Sequence, residues 1–155
     1  MENDKILSRE QVKEKALRLL EFRSHSEGEL KQKLKRAGGN DEDIEYVTDF
    51  CREYGFLNDE KYAYSLAKDL SNIKKFDINR IKSEIIRRGI SKELAELAIS
   101  EIQDNEDEVL KLAEKKLKGN FDRKNCDKAI RFLIYRGYDL TDIKNAIERL
   151  KSNEL

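Results

Sequence analysis

Apolar positions along this chain fall at helical intervals. Val12-Ala16-Leu19-Leu20, Leu30-Leu34 and Ile44-Val47 advance mainly by threes and fours, with polar or charged residues between the groups. That period turns one helix face toward a core and the other toward water. The same spacing returns in Tyr62-Ala63-Leu66-Leu70, Ile81-Ile85 and Leu94-Leu97-Ala98, and again in Val109-Leu110-Ala113-Leu117, Ala129-Leu133 and Ile143-Ile147. Proline, the strongest helix breaker, is absent, and the few glycines sit near segment boundaries. The pattern predicts an all-α protein.

These segments are three copies of one unit. Glu29 to Gly38, Arg80 to Gly89 and Lys128 to Gly137 align on their glycines, which lie 51 and then 48 residues apart. The alignment superposes Leu30, Ile81 and Ala129, and likewise Leu34, Ile85 and Leu133. Each glycine follows a turn carrying Arg or Lys, whose charge suits the negative end of a helix, and glycine can take the left-handed conformation that stops one. A cap candidate follows within four residues: Asn40 or Asp41, then Ser91, then Asp139 or Thr141. Three helices per unit follow, over 15–57, 58–103 and 104–155, after a lead-in at 1–14. With 41% charged residues there is little apolar material for one thick core, so the expected architecture is an elongated, curved tandem array of three three-helix repeats.

Local signals sharpen the boundaries. Ser26 and Glu29 form a capping box, which makes the adjacent His25, the single histidine, a loop residue beside a cap. In Glu53 to Ala63, Gly55 can close one helix and Asn58 can cap the next, with Asp59 and Glu60 in its positive first turn and Leu57 stapled against Tyr62, so this joint should be stiff. The joint at Gln103 to Glu108 has acids and no glycine, and reads either as continued helix or as a hinge.

Composition then excludes chemistry. Neither a Gly-Lys-Ser/Thr phosphate loop nor GxGxxG occurs, so nucleotide hydrolysis is not expected. His25 has no second histidine to support a metal or catalytic role. Asp41-Glu42-Asp43 and Glu106-Asp107-Glu108 read as first-turn acids rather than cation sites, without the glycine loop that calcium requires. Cys51 and Cys126 lack metal-ligand spacing, and each is expected to be a small buried hydrophobe. No apolar run reaches the roughly 18 residues of a membrane span, and Met1 to Glu10 lacks the pattern of a signal peptide, so a cytoplasmic protein is expected. No cofactor, metal or catalytic residue is expected.

Charge is balanced in sum, 32 basic against 32 acidic, but sorted along the chain. Lys68 to Lys92 carries eight bases against three acids, Glu93 to Glu114 eight acids against Lys111, and Lys115 to Arg136 eight bases against Asp122 and Asp127. Helices one and two of each unit are basic and the third tends to be acidic. Stacked units would then carry one positive and one negative stripe, the first suited to a phosphate backbone or an acidic protein groove. Phe76, Phe121, Tyr135 and Tyr138 stand beside the bases and could stack on nucleic acid or anchor an interface. Phe132 falls on an apolar face and belongs to the core.

Four ordered blocks resemble the bacterial RecX regulatory family. They are Phe22 to Leu34, Tyr54 to Ala63, Ile81 to Ile90, and Arg131 to Tyr138, together spanning about residues 15 to 150. Asn58 and Tyr62 stand where the family usually has Asp and Phe, and Ser71 to Asp77 lacks a glycine common in that loop. The resemblance implies a non-enzymatic modulator that lies along the RecA filament on single-stranded DNA and restrains strand exchange and ATP hydrolysis, acting as a monomer. Arg23, Lys35, Arg36, Lys74, Lys75, Phe76, Arg80, Arg87, Arg88, Arg123, Arg131 and Arg136 are the candidate contacts with RecA and nucleic acid. The rival from another class is a stand-alone DNA-binding module, because three-helix units also present recognition helices.

Overall fold

The computed structural model describes residues 6–102 and 107–153, and among these it contains nine α-helices and no strand. They are α1 (Arg9–Phe22), α2 (Glu27–Ala37), α3 (Asp41–Glu53), α4 (Asp59–Asn72), α5 (Ile78–Arg87), α6 (Lys92–Ser100), α7 (Glu108–Leu117), α8 (Arg123–Tyr135) and α9 (Leu140–Asn153). The fold is therefore an all-α helical repeat, as the apolar period requires. The joint expected at Gln103 to Glu108 falls largely on 103–106, outside the described residues, as does Glu106 of the second acidic run.

Helix ends are set by the anticipated residues. Ser26 caps α2 and closes the capping box with Glu29. The carboxamides of Asn40 and Asn58 accept from the Asp43 and Lys61 amides at 2.8 and 3.0 Å, and the Ser91 hydroxyl accepts from Leu94 at 3.2 Å. Asn40, rather than Asp41, is thus the cap of α3. Sequence pattern missed a second capping box, Ser8 with Gln11 on α1, and the Asp122 cap of α8.

The chain forms two compact units, Met1–Leu66 with Glu84–Ala98, and Ala67–Ser83 with Ile99–Leu155. In the first, α1, α2 and α3 pack pairwise around Val12, Ala16, Leu30, Leu34, Ile44, Val47, Cys51 and Leu57. In the second, α7, α8 and α9 do the same around Ala113, Leu117, Ala129, Leu133, Ile143, Ala146 and Ile147. Leu34 and Leu133, equivalent in the repeat, are both fully buried, and each such side chain contributes about 1.5–3 kcal/mol by leaving water. Ile81 and Ile85 of the middle copy are buried too.

Cys51 is buried as expected, and burial pushes its thiol up. Cys126 is not: it is half-buried, with its Sγ–H directed at the Phe121 carbonyl at 3.4 Å. A neighbouring carbonyl gives this weak donor a partner at the rim of the core, so full burial is not required.

Candidate partner-binding surface

Two joints of related construction organise the candidate residues, one in each unit. In the first unit the α2 start is held from three sides. The Ser26 hydroxyl oxygen accepts from the Glu29 amide at 3.0 Å while donating its proton to the Arg88 carbonyl at the end of α5. Asp59 of α4 accepts from the Glu27 amide at 2.8 Å, and burial pushes its carboxyl upward. Gly28 lies so close to Gly89 that a Cβ on it would stand 2.9 Å from the Gly89 carbonyl oxygen. Only two glycines allow that approach, and Gly89 also needs its left-handed φ of 83° to end the helix.

In the second unit, Asp77 and Arg136 occupy the repeat positions of Ser26 and Arg88, and they also meet, but through the main chain: the Asp77 amide, not its side chain, donates to the Arg136 carbonyl at 2.8 Å. Gly137 presses on the backbone and Cβ of Arg80, leaving no room for a side chain there. Arg80 donates to the Tyr135 carbonyl, and its guanidinium lies between two rings, 4.8 Å from the Phe76 centroid and 4.7 Å from that of Tyr135. The rings meet edge to face at 6.3 Å. The Tyr138 hydroxyl donates to the Lys75 carbonyl at 3.0 Å, and burial, with Glu108 and Asp77 adding, pushes its ionisation well up.

His25 sits inside the first joint and is 2% exposed, which its loop position did not suggest. The Arg23 carbonyl can only accept, so Nδ1 donates to it at 2.9 Å. Nε2 then accepts from the Lys33 ammonium at 2.9 Å. Burial, with the Arg23 and Lys33 charges, lowers its pKa and holds the ring neutral.

The predicted contact residues divide by role. Arg23, Arg80, Arg88 and Arg136 are half-buried and built into the fold. Arg23 reaches the Ser24 carbonyl and Glu29, Arg88 reaches the Tyr62 hydroxyl at 3.1 Å, and Arg136 lies 3.7 Å over the Phe132 ring. Phe76, half-buried, belongs with Arg80. Lys35, Arg36, Lys74, Lys75, Arg87, Arg123 and Arg131 are exposed. The first unit holds Arg23, Lys35, Arg36, Arg87 and Arg88; the second holds Lys74, Lys75, Phe76, Arg80, Arg123, Arg131 and Arg136.

The two units differ in how far acids pair with these charges. In the first, basic α2 is laced to acidic α3: Lys31 reaches Glu45 at 2.8 Å, and Lys35 reaches Asp41 at 2.8 Å. Arg52 contacts Glu27 and Asp49 at 2.7 and 2.9 Å. Exposed pairs of this kind contribute at most about 1 kcal/mol each, but they set a carboxylate beside Lys31, Lys35 and Arg52. In the second unit, Lys124, Lys128 and Arg131 on α8 are exposed and make no ion pair with a described residue. Lys124 and Lys128 were not singled out from sequence. Their signal was available, since they share a helix face with Arg131 at steps of four and three.

Among the described residues no group of His, Cys, Asp and Glu could hold a metal ion. A shallow depression on the first unit is lined by Asn58, Glu60, Lys61, Tyr64 and Ser65, which gives its serine no histidine base. No described helix is long and apolar enough to cross a membrane.

Fold and surface thus define an all-α helical-repeat protein with an exposed basic face on α8. Residues 13–51 match the family description "RecX, first three-helix domain". The chain is 37% identical over 149 residues to the regulatory protein RecX of Clostridium perfringens strain 13, covering 92% of this chain and 69% of that protein. It is 38% identical over 138 residues to the regulatory protein RecX of Vibrio parahaemolyticus, covering 87% and 88%. The crystal structure of RecX from Lactobacillus salivarius superposes with a TM-score of 0.77 over 92% of this chain and 96% of that one, at 22% identity, a likeness of fold. The chain belongs to the RecX family.

Proposed function

We propose that this protein is a non-enzymatic regulator of the RecA recombinase in the bacterial cytoplasm, acting as a monomer that binds the RecA filament on single-stranded DNA and restrains its ATP hydrolysis and strand exchange. Membership of a family of regulatory proteins, with similarity over most of the chain, is the observation that supports it best. The three repeats, at 15–57, 58–103 and 104–155, supply the contact surface, and DNA is an auxiliary ligand. Exposed cations on both units favour partners rich in carboxylate or phosphate. The test is RecA ATPase activity on single-stranded DNA with increasing amounts of this protein. A progressive fall in rate is expected, and an unchanged rate at several-fold excess would remove the reading.

A further inference from the structure

We infer that the outer face of α8 is a sequence-tolerant binding track for single-stranded nucleic acid, in which Lys124, Lys128 and Arg131 hold phosphates and Tyr135 stacks on a base. At 3.6 residues per turn these four side chains fall within roughly a 60° sector of the helix, opposite the buried Ala129 and Leu133. All four are exposed. The three cations make no ion pair with a described residue, unlike the basic helix of the first unit, although Asp127 lies three and four positions from Lys124 and Arg131. Asp127, exposed on the same helix, flanks the sector rather than entering it.

The aromatic end of this stripe decides what kind of polyanion fits. Tyr135 is 60% exposed, yet its ring is partnered, with the Arg80 guanidinium 4.7 Å from its centroid and the Phe76 ring at a near right angle 6.3 Å away. A large exposed ring that is already partnered can receive a base with little further loss of conformational freedom. An acidic protein lobe would use the cations and could bury the ring, but it offers no row of planar bases to stack on it. Duplex DNA keeps its bases stacked inside, so the ring would add nothing. A cation row ending in an exposed ring is the combination used to hold unpaired strands, where every base offers a face to stack on.

This inference rests on the nucleic-acid contact in the proposed function but is read without RecA. The probe is a fluorescein-labelled oligothymidylate, with anisotropy measured on titration with this protein and, in parallel, for a labelled duplex of equal length. Three phosphate contacts give a slope of about −2 for log affinity against log salt. Tyr135→Ala should weaken binding roughly 5- to 150-fold, the span of one lost base stack, whereas Tyr135→Phe keeps the ring and the affinity. Joint replacement of Lys124, Lys128 and Arg131 by Gln should abolish the salt slope, with helicity by circular dichroism unchanged. Absent oligonucleotide binding at low salt, an unaffected affinity in Tyr135→Ala, or equal weakening on duplex and single strand would each overturn the assignment. RecA ATPase assays on the same variants separate the two readings: inhibition surviving with no oligonucleotide effect sinks only this one, and the reverse sinks only the filament reading.

Discussion

His25 shows how one residue's surroundings override its sequence position. A lone histidine between two serines looks solvated, but here it is enclosed and accepts a hydrogen bond from an ammonium, so protonation would remove an acceptor and bring two like charges together. Because its folded pKa lies below the ordinary 6.5, the unfolded chain binds the proton more readily, and stability falls as pH drops below about 6.5. Burial works to raise the Glu27 and Glu29 carboxyls, but Arg52 and Lys31 on Glu27, and the Ser26 amide and Arg23 on Glu29, hold both below their usual 4.5, so their loss of stability comes at still lower pH. Urea denaturation at pH 7.5 and 5.5 should show lower stability at the acid value, and His25→Gln should flatten that difference. Lys75 is a second case: its φ of 58° is a conformation glycine favours, in the loop where the family often has glycine. The Lys75 carbonyl is tied to the Tyr138 hydroxyl.

Helices and their joints carry most of the stability. Leu34→Ala in α2 or Leu133→Ala in α8 empties a fully buried position and should cost about 2–5 kcal/mol in denaturant midpoint analysis. Gly28→Ala would force a methyl against the Gly89 backbone and should cost roughly 1–3 kcal/mol, although alanine ordinarily favours a helix. Arg80→Ala, losing a charged hydrogen bond and two ring contacts, should cost about 2 kcal/mol, discounted for partial exposure. A loss below experimental error in these variants would show that the joints do not hold the helices together. Much at this scale was legible beforehand: the helix stops at Gly38, Gly89 and Gly137 and the Ser26 capping box depend on neighbours a few residues away. The contacts of Ser26 with Arg88 and of Arg80 with Tyr135 join residues 62 and 55 positions apart, which no local period encodes. Hence four arginines that look like a partner surface are half-buried parts of the framework.

For the whole molecule, the repeat reading and the structure agree on helix type and order, and family membership follows from similarity along most of the chain. Charge sorting was read from linear clusters, which reveal sign but not pairing; lacing between α2 and α3 sets carboxylates beside Lys31 and Lys35, while Lys124, Lys128 and Arg131 of α8 make no ion pair with a described residue. The contact account therefore gives most weight to exposed cations. The most direct measurement is co-sedimentation of this protein with RecA filaments preformed on single-stranded DNA at moderate salt. The account predicts saturable binding that weakens on joint charge reversal of the exposed Lys74, Lys75 and Arg87, with helicity intact. Protein left in the supernatant at several-fold filament excess would contradict it.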